Sequence, residues 1–394
     1  MGAAALVALA AVGERGAAAS ASGPGRFRFY VEAERFAADG ILSQHYDSVY
    51  KALLAHEDRV RNRSEAQAIF LGTDTGCANA WPVYAGSEAD NFLRGTVRKC
   101  RASRVERLRS YLTDFGLWPA ETPASTQAPI IVFDMFGIMT ETPAELKEEA
   151  PLLLVGPGFQ RSSYRNGIDV SFPEMPVVRD GMGPRRPASA GAVTLEEPPG
   201  CGASGGAAAW RHLMVFRGTN TSKLRAKLPS LHNGDDIVIH VKPFKEYVHT
   251  ETDPVENELV AEYMELMKRT KFALVPRGDN GNTIRLFESM CLGAVPVILS
   301  DQWVLPFAEA GGADYAAFSV RVREREWKML PEILRTYSSD TVCAMQRAAL
   351  RACRLHFGSV PAQVATLLSI LGRRSSAAAE AARSGRATRA SREL

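Results

Sequence analysis

No aspartate in this chain stands two residues from another, so the Asp-x-Asp pair through which metal-dependent transferases hold a divalent cation is missing. Nor is there a GxxxxGK[ST] or an HExxH, which excludes a P-loop NTPase and a zincin. The six cysteines (Cys77, Cys100, Cys201, Cys291, Cys343 and Cys353) contain no CxxC and no zinc spacing. Cys77 and Cys100 could pair, Cys291 reads as a small core residue, and the redox compartment stays open. The seven histidines are scattered; His212, His232, His240 and His249 are too loosely spaced to argue a metal site. Long apolar runs are absent too. The stretch Ala3–Val12 reaches about half of the ~20 residues a spanning helix needs and lacks a basic flank before it, so it reads as an Ala-rich leader or a weak anchor. Excess charge is small. The net +3 includes six Arg against two Glu in residues 373–394, a contribution of +4, which leaves −1 for the remainder and argues against a nucleic-acid partner.

What the chain does have is alternation of strand and helix patterns. Strands are predicted from Phe27, over Ala66–Leu71, Pro129–Phe133, Leu152–Val155, His212–Phe216, Asp236–Val241, Phe272–Val275 and Val295–Leu299. Helical spacing is predicted over 41–57, 91–117, Lys223–Leu228, Glu258–Lys268, Ala344–Phe357 and Pro361–Leu371. Strands alternating with helices imply an α/β fold built on parallel sheet. Residues 176–209, dense in Pro, Gly, Ala and Ser, read as a linker or disordered insertion. The chain therefore divides into a leader (1–25), a first α/β domain (26–175), the linker (176–209), a second α/β domain (210–372) and a basic tail expected to be disordered (373–394).

The most specific stretch is Lys271–Phe307, KFALVPRGDNGNTIRLFESMCLGAVPVILSDQWVLPF. A continuous apolar strand runs into a loop from Pro276 to Gly281 whose backbone N–H groups should be free. A helix follows, N-capped by Asn282 or Thr283 and stopped at Gly293. A helix N-terminus beside the guanidinium of Arg277 suits a phosphate, although this stretch has no GxGxxG. Arg285 and Glu288, three residues apart, share one helix face and could serve a nucleotide's pyrophosphate and ribose, or simply pair with each other. Arg217–Gly218, read as the turn after another buried strand, is a second phosphate contact or an ordinary turn. Asp74 and Asp134 each end a strand of the first half; either one is a candidate general base toward an acceptor hydroxyl, or a turn aspartate.

These motifs together resemble the exostosin family of glycosyltransferases. The likeness rests on Val275-Pro276-Arg277-Gly278, Arg285-Leu286-Phe287-Glu288, Pro296-Val297-Ile298-Leu299-Ser300 and Trp303-Val304-Leu305-Pro306-Phe307. Upstream, Tyr164–Pro173 (YRNGIDVSFP), Arg211–Gly218 (RHLMVFRG) and His232–Asp236 (HNGDD) follow the same order. The resemblance implies a GT-B architecture, two Rossmann-like domains facing across a cleft, and an inverting transfer from a UDP-sugar to a glycan or glycoprotein acceptor. It matches Arg277, Arg285 and Glu288 to donor-contacting positions and Arg217–Gly218 to the other cleft turn. With Gly278, Asn282 and Thr283 of the loop and helix start read above, these form the expected donor-binding set. With no Asp-x-Asp, no metal or other cofactor is expected, and the arginines should neutralise the diphosphate. The resemblance also implies the lumenal side of the Golgi membrane, and an oligomer with itself or with another glycosyltransferase. One departure stands out: between Trp118 and Ile130 the chain reads PAETPASTQAP where the family has a Gly-x-(Asp/Asn)-His element, which leaves the base unassigned. The length suggests a single transferase unit. A catalytically inactive glycan-binding or partner subunit is the alternative, and a sugar-phosphate enzyme on a similar fold is a third.

Overall fold

The computed structural model describes residues 26–32, 44–74, 112–113, 128–133, 152–174, 198, 201, 210–243, 262–278 and 281–390. The leader, most of the 91–117 helix, nearly all of the 176–209 segment, the Cys77–Cys100 pair and Asp134 lie outside them.

Among the described residues, two five-stranded parallel sheets carry the fold. The first runs in chain order: β1 (Phe29–Val31), β2 (Ala68–Asp74), β3 (Ile130–Phe133), β4 (Leu152–Gly156) and β5 (Val170–Ser171). The second contains β6 (His212–Thr219), β7 (Ile237–Lys242), β8 (Thr270–Pro276), β9 (Val295–Leu299) and β10 (Val320–Arg321). Its spatial order is β10-β9-β8-β6-β7. Every residue of β4 and β9 is buried, which explains why their sequences are unbroken apolar runs instead of alternating ones. Two parallel α/β sheets agree with the expected GT-B architecture, although among the described residues the first sheet lacks the strand-order reversal of a Rossmann sheet. In the second sheet the order reverses between β6 and β8, since β6 pairs with β7 on one side and β8 on the other. Open α/β sheets bind ligands beyond the carboxyl ends of the strands at such a reversal, which here are those of β6 and β8.

The halves are joined by packing as well as by chain. Ring centroids 5.2 to 6.0 Å apart link Phe29, Phe70, Phe133, Phe172, Phe307, Phe357 and Phe287 in one series from β1 into the second half. Such contacts add about 0.5–1.5 kcal/mol each beyond burial. The Trp303–Phe307 motif forms the seam. Val304 N–H donates to Phe159 O at 2.9 Å, the Ser171 hydroxyl donates to Val304 O at 2.7 Å, and Phe307 N–H donates to Ser171 O at 2.8 Å. Phe307 adopts φ of 55°, a strained conformation for a phenylalanine, which these seam contacts hold in place.

Three sequence expectations need correction. Lys223–Leu228, read as helical, is shifted: the helix is a 3-10 stretch over Arg225–Leu231 with Pro229 inside it. A proline removes an N–H and favours the short, tighter turn. Cys291 is no isolated core thiol: it is bonded to Cys353, and Cys201 is bonded to Cys343. The basic tail is not disordered over most of its length. After α3 (Ser339–Ala352), helix α4 runs from Val360 to Ala390. The alanines that made the tail look structureless are also the best helix formers. Arg374 anchors that helix by donating to Glu309 and to the carbonyls of Ile168 and Asp169. Helix α4 packs against α1 (Gln44–Leu54), so the second half's last helix completes the first half's core.

Candidate functional site

The loop after β8 is built from the strand ends upward. β6 does not turn at Arg217–Gly218. It continues to Thr219, with Arg217, Gly218 and Thr219 in register with His240, Val241 and Lys242 of β7, which corrects the predicted turn. Arg217 lies 3.6 Å from the Glu262 carboxylate. Burial, with the charges of His232 and Arg217 beside it, lowers the His240 pKa. Gly218 has a packing reason: a Cβ there would stand 2.9 Å from the Phe216 ring.

That ring carries the site's organiser. The guanidinium of Arg225 lies 5.4 Å from the Phe216 centroid and is almost fully buried. It donates to Thr219 O at 3.2 Å, Pro276 O at 3.1 Å, Arg277 O at 3.0 Å and the Thr283 hydroxyl at 3.1 Å. One side chain thus ties the carboxyl ends of β6 and β8 to the loop between β8 and the next helix. A buried guanidinium satisfied by carbonyls behaves as a rigid fork.

The loop's amides are less free than its sequence suggests. Arg277 N–H donates to Leu299 O at 3.0 Å, and Gly278 N–H donates to Asn282 O at 3.1 Å. The second bond explains the glycine, since a Cβ on Gly278 would meet that same carbonyl at 2.9 Å. Asn282 does not cap the helix; its amide donates to Glu174 of the first half at 2.9 Å. Helix α2 (Arg285–Cys291) begins later than predicted, at Arg285, with the Thr283 hydroxyl accepting from Arg285 N–H at 3.4 Å. The cap residue, Ile284, provides no side-chain bond. A distant partner claimed Asn282, whereas the Thr283 hydroxyl serves both Arg225 and the first N–H of the helix. Gly293, with φ of 80°, does end the helix as predicted.

Arg285 and Glu288 form the predicted pair across one turn. Glu288 is buried, and its carboxylate also accepts from the Tyr263 hydroxyl at 3.0 Å. The Arg285 guanidinium lies 5.0 Å from the Tyr263 ring centroid. Burial, reinforced by Glu288, raises the Tyr263 hydroxyl far above the usual phenol range and keeps it a donor. Arg285 is therefore clasped from two sides. Arg277 has a different partner: its Nε lies 3.2 Å from Glu324. Beside the same loop the Thr221 hydroxyl is buried with no hydrogen-bond partner.

On the facing half, Asp74 ends β2 with its Cα in register with Phe133, the last residue of β3. Asp134 falls outside the described residues. The structure thus brings Arg277, Gly278, Asn282, Thr283, Arg285 and Glu288 onto one strand–loop–helix unit, and puts Arg217 and Gly218 on the adjacent strand. Arg225 and Glu324 were missed. The available signal for Arg225 was an arginine between Leu224 and Leu228, both buried. Among the described residues no group of three or more His, Cys, Asp or Glu could hold a metal ion.

The sequence model described as Exostosin GT47 domain matches residues 131–337, more than half of the chain. Exostosin-1 of Drosophila melanogaster is 28% identical over 221 residues, covering 53% of this chain and 27% of that protein. The Exostosin-1 homolog of Caenorhabditis elegans is 33% identical over 150 residues, covering 35% of this chain and 39% of its own. The matched region is therefore well under half the length of these relatives. A crystal structure of Anabaena HepE in complex with UDP aligns with 91% of this chain and 100% of its own at 10% identity. Its TM-score is 0.34, an overlap from which neither fold nor ligand transfers.

Proposed function

The chain belongs to the exostosin GT47 family of glycosyltransferases, and from that premise we propose that it moves a sugar from a UDP-sugar to a glycan hydroxyl with inversion at the transferred carbon. The observation that carries this reading is the position of the Arg277 loop, at the reversal of strand order between β6 and β8. There Arg277 and Arg285 face the departing diphosphate and stabilise the charge that develops on it, in place of a metal ion. Thr221 supplies a buried hydroxyl with an unused hydrogen-bonding capacity beside the same loop. Glu288, held by Tyr263, fixes Arg285 and reaches the ribose with its remaining acceptor capacity. On the other half Asp74 or Asp134 takes the proton of the attacking hydroxyl.

The two disulfides support a lumenal, oxidising compartment such as the Golgi, since such bonds persist where thiols are not kept reduced. Among the described residues no single helix is long and apolar enough to cross a membrane.

A panel of nucleotide-sugars read by thermal shift tests the donor, because only a bound ligand raises the melting temperature. The expected result is stabilisation by a UDP-sugar, its transfer to a glycan acceptor, and a fall of about 100-fold or more in transfer for Arg277→Ala with folding intact. Donor binding without transfer or hydrolysis would assign the chain to a partner-subunit role instead. Wild-type turnover in Arg277→Ala would remove the arginine from the mechanism.

A further inference from the structure

Glu324 lies outside every motif above, yet it connects three neighbouring strand ends of the second sheet. Its Oε2 lies 3.2 Å from Nε of Arg277, the residue just after β8. Its Oε1 accepts from the N–H of Asp301, two residues beyond β9, at 3.2 Å. In return, the N–H of Glu324, three residues beyond β10, donates to Oδ1 of Asp301 at 3.2 Å. The reciprocal pair fixes the carboxylate before it meets Arg277. We infer that Glu324 is a positioning residue for Arg277, holding the guanidinium side-on so that its terminal nitrogens are presented to the donor's diphosphate. The inference rests on the donor reading above.

The geometry of Arg277 supports it. The side chain is 37% exposed, but its Nε is fully buried and faces Glu324 without a well-aligned hydrogen bond. The exposure therefore falls on other atoms of the side chain. The carboxylate contact recorded for Arg277 is at Nε and not at a terminal nitrogen, whereas a fork-on pairing through both terminal nitrogens would have consumed the groups that a second anion needs. A carboxylate that competed with the donor would contact the terminal nitrogens; the recorded contact of this one is to Nε.

The test is Glu324→Gln, measured as UDP affinity by calorimetry and as KM against kcat for the donor, in the wild-type and the Arg277→Ala backgrounds. Glutamine keeps an oxygen to accept from Asp301 N–H, so the fold-level link survives while the charge on Arg277 is lost. The expected result is a UDP Kd and a donor KM raised about tenfold, with kcat lowered as well because Arg277 also meets the charge that develops on the leaving diphosphate. In Arg277→Ala the same substitution should change the Kd by less than about twofold, because the residue it acts through is gone. Tighter UDP binding in Glu324→Gln would make the carboxylate a competitor of the donor and overturn the inference. So would an equal loss in both backgrounds, which would make its role purely structural. Loss of UDP binding in Arg277→Ala with none in Glu324→Gln refutes this inference and leaves the donor reading standing. A wild-type chain that binds no UDP refutes both.

Discussion

Nε of Arg225 donates to the backbone carbonyl of Arg277 across 3.0 Å, so one buried arginine sets where a second, partly exposed one stands. The first is a scaffold and the second is the candidate ligand contact. Replacing Arg225 by methionine would keep the apolar stem over Phe216 and leave the carbonyls of Thr219, Pro276 and Arg277 without that donor. Thr219 O keeps the Thr221 N–H at 2.9 Å and Arg277 O keeps the Ser222 hydroxyl at 3.2 Å. The cost of an unsatisfied group therefore falls mainly on Pro276 O, and Arg225→Met should lose about 1–3 kcal/mol of stability. A urea midpoint equal to that of the wild type would show that the fork contributes little.

The sheets and the donor loop could be read in the sequence because their signals are local. β4 and β9 are unbroken apolar runs, and the Gly293 stop follows from one residue's conformational freedom. What escaped depends on partners far away in the chain. Arg225 is satisfied by carbonyls more than 50 residues on, and Glu324 by the amide of Asp301. Asn282 is drawn off its capping position by Glu174, 108 residues earlier. Cys291 reveals its role only through Cys353. The Trp303–Phe307 and Tyr164–Pro173 motifs carried the family likeness, and the structure gives them structural work. The first is the seam, and in the second a fully buried Asp169 is paired with Arg165.

Tyr263→Phe isolates the clasp on Arg285. The ring beneath the guanidinium stays, and the hydroxyl that donates to Glu288 goes. Glu288 is buried, so the lost bond to a charged acceptor should cost about 1.5–3 kcal/mol of stability. Looser pairing at Glu288 should also raise the donor KM several-fold. Unchanged urea midpoints and an unchanged KM would remove Tyr263 from the site's support.

Asp236 gives a pH signature away from the site. Its hydrogen bond from Arg335, 2.7 Å away, lowers its pKa below 3.8. A carboxylate with a depressed folded pKa adds stability that is fully present above 3.8 and is lost as pH falls through the folded value. Asp236→Asn should therefore cost up to about 1 kcal/mol at neutral pH, a modest figure because Arg335 is half exposed. The gap between variant and wild type should close on acidification below that value. A gap that persists in acid would assign the effect to packing or to the Asn233 contact.

The Cys291–Cys353 bridge joins the last turn of α2, the helix bearing Arg285 and Glu288, to the π-helical turn after α3. It closes a loop with a sequence separation of 62, for which chain entropy predicts about 4 kcal/mol. The double variant Cys291→Ser, Cys353→Ser should lose about 2–4 kcal/mol of stability. Both positions are buried beside Phe287 and Phe357, whose rings are 5.5 Å apart, so the loss acts directly on the seating of α2. Donor KM should therefore rise along with the fall in stability. Treating the wild type with a thiol reductant should reproduce both effects. If reduction lowers stability while donor KM stays at the oxidised value, the bridge holds the fold but does not seat the helix that carries the donor contacts.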